Sequence, residues 1–176
     1  MKKPLSFDIF MVCIFLALGL TAMSLHSQPG PPRLVEKEGG FSYEPPPGWV
    51  AVSYPGMKFQ VVTGTSENSP APSINIVDDA VSDPLNKYAS TIIGRNSTLA
   101  QNFHYIDQTP FTIRTGQING IKITTEATQM GRRFKQTCYV FEHNKMKYVV
   151  TCCAAAQDAD KMEPVFEHMV ESFKFR

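Results

Sequence analysis

The clearest alternation of hydrophobic and polar positions lies in the last quarter of the chain. FKQTCYVFEH (134–143) and KYVVTCCA (147–154) read as two strands joined by a tight turn around Asn144-Lys145. Beyond them Met162, Val165, Phe166, Met169, Val170 and Phe173 recur at helical spacing and mark one buried face. Burying six such side chains contributes roughly 1.5–3 kcal/mol each, which places this helix in the core. A short terminal strand is expected after it.

The first half reads as shorter pieces. Phe41–Glu44 is a strand, and Pro45-Pro46-Pro47-Gly48 stops it, because proline donates no ladder hydrogen bond and glycine accepts a positive φ. Trp49, the single tryptophan, reads as a cap on the core beside Val50 and Val52, with partner contact as the alternative. MKFQVV (57–62) and SINIV (73–77) are expected strands; strict alternation turns Ile74 and Ile76 inward. A polar loop, 64–72, separates them. Ser82-Asp83-Pro84 is a helix start, and the apolar stripe Leu85, Tyr88, Ala89, Ile92, Ile93, Leu99 and Phe103 carries that helix to about 102. Strands follow at 110–118 and 121–128. Asn119-Gly120 between them is a strong hairpin signal, and it pairs Ile118 with Ile121 and Gly116 with Ile123. Gln129-Met130-Gly131-Arg132 turns the chain into the 134–143 strand. Strands of this kind covered by two helices make an α+β domain.

Composition adds a compartment. Lys2 and Lys3, the apolar run 9–20 and Ala22-Met23-Ser24 have the form of a secretory signal peptide over 1–24, cleaved after Ser24. The run is shorter than the roughly 20 residues of a spanning helix, so an uncleaved membrane anchor is the alternative. Val12 precedes Cys13 where a lipoprotein has a small residue, so lipidation is not expected. Residues 25–40, rich in proline, glycine and charge, read as a linker, and 41–176 as the domain. Two of the 17 basic and one of the 16 acidic residues fall in the signal, which leaves a neutral mature chain and no footprint of a nucleic-acid binder.

Candidate chemistry is sparse. An exported chain meets oxidising conditions, and Cys138 and Cys152 can bridge if they lie opposite each other on the hairpin. Otherwise these two and Cys153 are small buried hydrophobes. No cysteine or histidine spacing suits a metal, and no phosphate-binding or nucleophile motif occurs. Asp78-Asp79 lacks a third ligand and reads as a solvated turn. A thiol-dependent enzyme or small envelope hydrolase would use Cys152 or Cys153 with His143, should the fold unite them. Arg132, Arg133, Lys135, Lys145 and Lys147 give the hairpin a basic rim, either as edge protection or as a partner surface together with Trp49.

Phe41 to Trp49 with its P-x-G-W turn, 73–77 followed by the 83–88 helix start, the Ile118–Ile121 strand pair and the closing Glu171-Ser172-Phe173-Lys174-Phe175 occur in one order over 41–176. In that order they resemble the PsbP-like superfamily, which includes the photosystem II subunit, the Ran-binding nuclear import factor and bacterial DcrB-like envelope proteins. The resemblance implies an α/β/α sandwich around an antiparallel sheet of six or seven strands. It also implies non-catalytic work without cofactors: docking to a protein partner, assisting assembly, or chaperoning other chains. The expectation is an exported, periplasmic or envelope-associated monomer that meets the membrane only if its signal segment is left uncleaved.

Overall fold

Long antiparallel strands need turns that match their right-handed twist, and two sites supply them. The computed structural model describes residues 33–66 and 70–176, so the signal segment lies outside the described residues. β1 (Leu34–Glu36), β2 (Phe41–Tyr43), β3 (Val50–Val52), β4 (Val61–Thr63) and β5 (Ser73–Asp79) precede α1 (Leu85–Leu99). β6 (Gln101–Ile113), β7 (Ile118–Gln129), β8 (Arg132–His143), β9 (Met146–Ala155), α2 (Ala159–Glu171) and β10 (Lys174–Phe175) follow. Met130-Gly131 (φ 48° and 75°) and Asn144-Lys145 (φ 51° and 64°) are two-residue turns with positive φ at both positions, which joins β7 to β8 and β8 to β9 without splaying them.

The main sheet has seven strands in the order β3-β4-β5-β9-β8-β7-β6, all antiparallel. α1 covers one face, where Tyr88, Ala89 and Ile92 meet Ile123, Cys138, Val140 and Val149. α2 covers the other, where Phe166, Met169 and Val170 join Ile74, Ile76, Tyr139 and Val150. A second sheet, β1-β2-β10, packs beside α2. Its Phe41 and Tyr43 stack on Phe173 at 5.2 and 5.3 Å, and Phe41 meets Tyr148 of β9 edge-on at 5.6 Å. The fold is the expected α/β/α arrangement, with Met162, Phe166, Met169, Val170 and Phe173 of the predicted apolar face at or beside the core and Val165 half-buried.

Four expectations change. Residues 34–36 are not linker: β1 pairs with β2, and buried Leu34 belongs to the core. Val50–Val52 is a strand, and the strand expected at 57–62 narrows to 61–63, although Phe59 is buried. α1 stops at Leu99, because Ala100 is extended (φ −97°, ψ 139°) and Leu99 faces solvent. β6 therefore starts nine residues earlier than expected. Two register shifts, at Gln101/His104 and Tyr105/Asp107, and Pro110 further along, interrupt this edge strand, as suits an edge that does not recruit another.

The fourth change concerns Asn119-Gly120, which lies within β7 rather than at its turn. Ile118 pairs with Ile113, and the turn occupies 114–117. There the Thr115 hydroxyl donates to the Phe173 carbonyl at 2.9 Å, tying the turn to the closing strand. Gly120 is needed for space. A Cβ there would overlap the Phe111 ring and stand 2.7 Å from the Val140 carbonyl oxygen. Asn119 accepts from the Thr112 hydroxyl at 3.0 Å across the ladder. Gly120→Ala is expected to cost about 1–3 kcal/mol in urea unfolding, as other overpacked sites do. Gly116→Ala, in the turn itself, is expected to stay within about 0.5 kcal/mol. Equal losses at both would place the turn back at Asn119-Gly120.

Candidate functional site

The β7–β8 turn lifts Met130 out of the sheet end. At 62% exposure it is the most exposed large hydrophobic side chain among the described residues. The φ of 48° at Met130 serves the turn and aims its side chain outward rather than into either layer. Pro70, on the far side of the 64–72 loop, approaches this end of the sheet. A hollow of about 180 Å³ forms between Pro70, Gln129, Met130, Arg132 and Phe134. Two shallower clefts adjoin it at Pro70. One runs along Arg132, Arg133 and Gln157, and the other along Ala155, Lys161 and Met162. The C-terminal ends of β7 and β9, the start of β8 and the start of α2 thus converge on one concave rim.

Electrostatics divides the rim's cations. Arg133 is held by Glu126, and Lys135 by Asp160 at 3.1 Å. Arg132 is exposed and has no ion pair among the described residues. Its partner across the turn, Gln129, is 8% exposed and has its side-chain nitrogen buried without a hydrogen-bond partner among the described residues. No signal in the sequence marks Gln129 or Pro70 for a site, because a glutamine at a strand end is ordinary and the hollow depends on chain segments about 60 residues apart.

The expected basic rim is therefore two separate things. Lys145 sits at the other end of β8, about 40 Å away for a 12-residue strand. Lys147 is 2% exposed and is a structural cation, donating to Glu142 Oε2 at 2.8 Å and to the Val81 carbonyl at 2.9 Å. Trp49 is half-buried and meets Phe166 edge-on at 6.2 Å, so it caps the core. Asp78 pairs with Lys58, and Asp79 accepts from the Tyr88 hydroxyl at 3.5 Å.

A second hollow, of about 460 Å³, lies between α2 and the edge of the sheet, lined by Thr109, Lys122, Tyr139 and Glu167 among others. It is polar. Burial pulls the Lys122 ammonium down, but its hydrogen bonds to Glu163 and Glu167 outweigh that and hold it above its ordinary value.

Of the two alternatives for the cysteines, the structure has the buried free thiols and no Cys138–Cys152 bridge. Cys138 pairs with Thr151 and Cys152 with Thr137, so the two thiols point to opposite faces of the sheet, Cys138 under α1 and Cys152 under α2. All three thiols are buried, and Gln136 Nε2 donates to Cys138 Sγ at 3.4 Å. Burial pushes the Cys152 thiol well above its ordinary value, with Cys138 nearby adding to the effect, which disfavours the thiolate. His143 pairs with Met146 and stacks on Phe175 at 4.2 Å. Six residues of β9 separate Met146 from Cys152, about 20 Å, so the fold does not unite His143 with either Cys152 or Cys153.

Comparisons with known proteins fit this geometry. No protein-family model and no curated protein matches the chain. Solved structures do. A cyanobacterial PsbP (CyanoP) from Synechocystis sp. PCC 6803 is similar with a TM-score of 0.60 at 15% identity, covering 91% of this chain and 99% of that one. LpqN, a protein involved in cell envelope biogenesis of Mycobacterium tuberculosis, is similar with a TM-score of 0.60 at 13% identity, covering 85% of this chain and 86% of that one. The protein Mog1 is similar with a TM-score of 0.55 at 11% identity, covering 78% and 92%. The fold is PsbP-like.

Burial of the thiols and phenols has a measurable consequence. Cys152, Tyr43, Tyr88 and Tyr139 hold their protons more tightly folded than unfolded, chiefly because burial disfavours the charged form. The unfolded chain releases these protons first, from the ordinary values of 9.0 and 10.0. Their stabilising contribution is therefore complete below about pH 8 and is lost as the pH climbs past 9–10. Urea midpoints measured from pH 7 to 11 should show that fall. In the same series, iodoacetamide should label Cys138, Cys152 and Cys153 only as the protein unfolds; rapid labelling at neutral pH would contradict the buried assignment.

Proposed function

We propose that this PsbP-like domain is an exported, non-catalytic accessory protein of the cell envelope, which docks a protein partner through the rim around Met130. The observation that carries the reading is the rim itself: an exposed methionine beside an arginine that has no ion pair among the described residues, over a hollow lined by Pro70 and Phe134. Methionine adapts its shape to a partner, and arginine adds a directional charged contact. The envelope assignment is supported by the apolar run at 9–20 behind two lysines and by similarity to an envelope-biogenesis protein. No helix among the described residues is long and apolar enough to cross a membrane. A balanced net charge supports a protein partner over nucleic acid. The interrupted β6 edge supports a monomer.

The hollow beside α2 bears on how the partner is held. A chaperone for unfolded chains needs an apolar groove, and this one is lined by Lys122 and Glu167 with their ion pairs. Docking of a folded or locally extended partner suits the surface better. The thiol-dependent alternative has buried thiols and a distant histidine against it.

Site-directed photocrosslinking in cells tests the reading. With p-benzoylphenylalanine replacing Met130 or Arg132, discrete higher-mass products are expected in the envelope fraction. The same group replacing Thr91, exposed on the outer side of α1, should give none. Products of equal yield from all three positions, or none from the rim, would remove the docking surface.

A further inference from the structure

We infer that the rim takes an acidic segment of its partner, one that places a carboxylate on Gln129 and Arg132 beside an apolar side chain held by Met130, Phe134 and Pro70. This rests on the docking reading and names the chemistry of what docks.

Two independent observations point to a carboxylate. The Gln129 side-chain nitrogen is buried without a partner among the described residues, at a residue that lines the 180 Å³ hollow. A buried amide donor left unpaired destabilises the isolated domain, and such groups are rare in native structures unless something completes them. What completes an N–H donor is an oxygen. The second observation is charge. Arg133 and Lys135 are already neutralised by Glu126 and Asp160, whereas Arg132, lining the same hollow as Gln129, has no carboxylate within ion-pair distance among the described residues. Gln129 and Arg132 are partners across the β7–β8 turn and line one hollow, and a planar guanidinium together with an amide donor can offer several N–H groups to one carboxylate.

The rest of the hollow is apolar and adaptable. Met130 is flexible and exposed, Phe134 is half-buried, and Pro70 forms the opposite wall. Its volume suits a single leucine or phenylalanine side chain better than a whole small molecule, whose sites run to roughly 300–1,000 Å³. An apolar residue flanked by aspartate or glutamate fills both requirements. A lysine-bearing segment would leave Gln129 unpaired and set its charge against Arg132.

The test uses the purified protein and three fluorescein-labelled peptides with blocked ends. One combines leucine and phenylalanine with aspartate and glutamate; the second replaces the acids with asparagine and glutamine; the third replaces them with lysine. The acidic peptide should bind most tightly, weaken as salt rises, and shift the Gln129 side-chain amide resonance. Arg132→Glu should weaken it about tenfold or more. Gln129→Leu should also weaken it, while leaving the free protein as stable as the parent or more so, because the unpaired donor is gone. Equal binding of the three peptides, an unmoved Gln129 resonance, or indifference to Arg132→Glu would overturn the proposal. So would acetate or inorganic phosphate shifting the same resonance at concentrations where the acidic peptide does not. If crosslinks from Met130 persist while acidic peptides fail, the docking reading stands and the acidic assignment falls. If the Met130 crosslinks are absent, the docking reading falls with it.

Discussion

A stack of aromatic rings holds the two sheets and the terminal strand to one another. Phe41 and Tyr43 from β2 stack against Phe173, and Phe141, Tyr148 and Phe175 close around them within 5.1–6.1 Å. Each ring removes a large apolar surface from water, and the edge-to-face and offset contacts add to that burial. Because the rings come from the beginning and end of the domain, they also shut the chain: Arg176 N donates to the Gly40 carbonyl at 2.9 Å, and Tyr148 OH to the Gly39 carbonyl at 3.1 Å. α2 is positioned as a consequence, since Phe173 follows it directly and sits at the centre of the stack.

That closure separates structure from function in space. The aromatic stack and the Asn144-Lys145 turn lie toward one end of the main sheet, and the Met130 rim lies at the other. The buried thiols are packing groups that lie between these two ends. One residue of register places Cys138 beneath α1 and Cys152 beneath α2, and each fills space in a different layer. The groups available for recognition are then the exposed side chains around the Met130-Gly131 turn and Pro70.

Much of this was legible in the residues themselves, and the failures have physical causes. The two-residue turns at 130–131 and 144–145, the inward Ile74 and Ile76, and the buried face of α2 all follow from periodicity. Asn119-Gly120 misled because the same dipeptide suits a turn and a close strand crossing, and only the Phe111 ring decides between them. Leu34–Glu36 was hidden by its proline- and glycine-rich neighbours, and its partner β2 supplies the reason it is a strand. Of the candidate site, Arg132 and Arg133 were visible as charge, but Lys147 looks the same in sequence and is buried. Gln129 carries no such signal, because its significance is a side-chain nitrogen buried without a partner among the described residues, beside a hollow that Pro70 completes.

The division between an aromatic structural end and a recognition rim is most directly tested by chemical denaturation followed through Trp49 fluorescence in three variants. Phe173→Ala should lose about 3–5 kcal/mol, as truncation of a fully buried ring does. Met130→Ser and Arg132→Ser should each stay within about 0.5 kcal/mol of the parent, as exposed positions do. A Phe173→Ala protein as stable as the parent, or rim variants as damaged as Phe173→Ala, would contradict it.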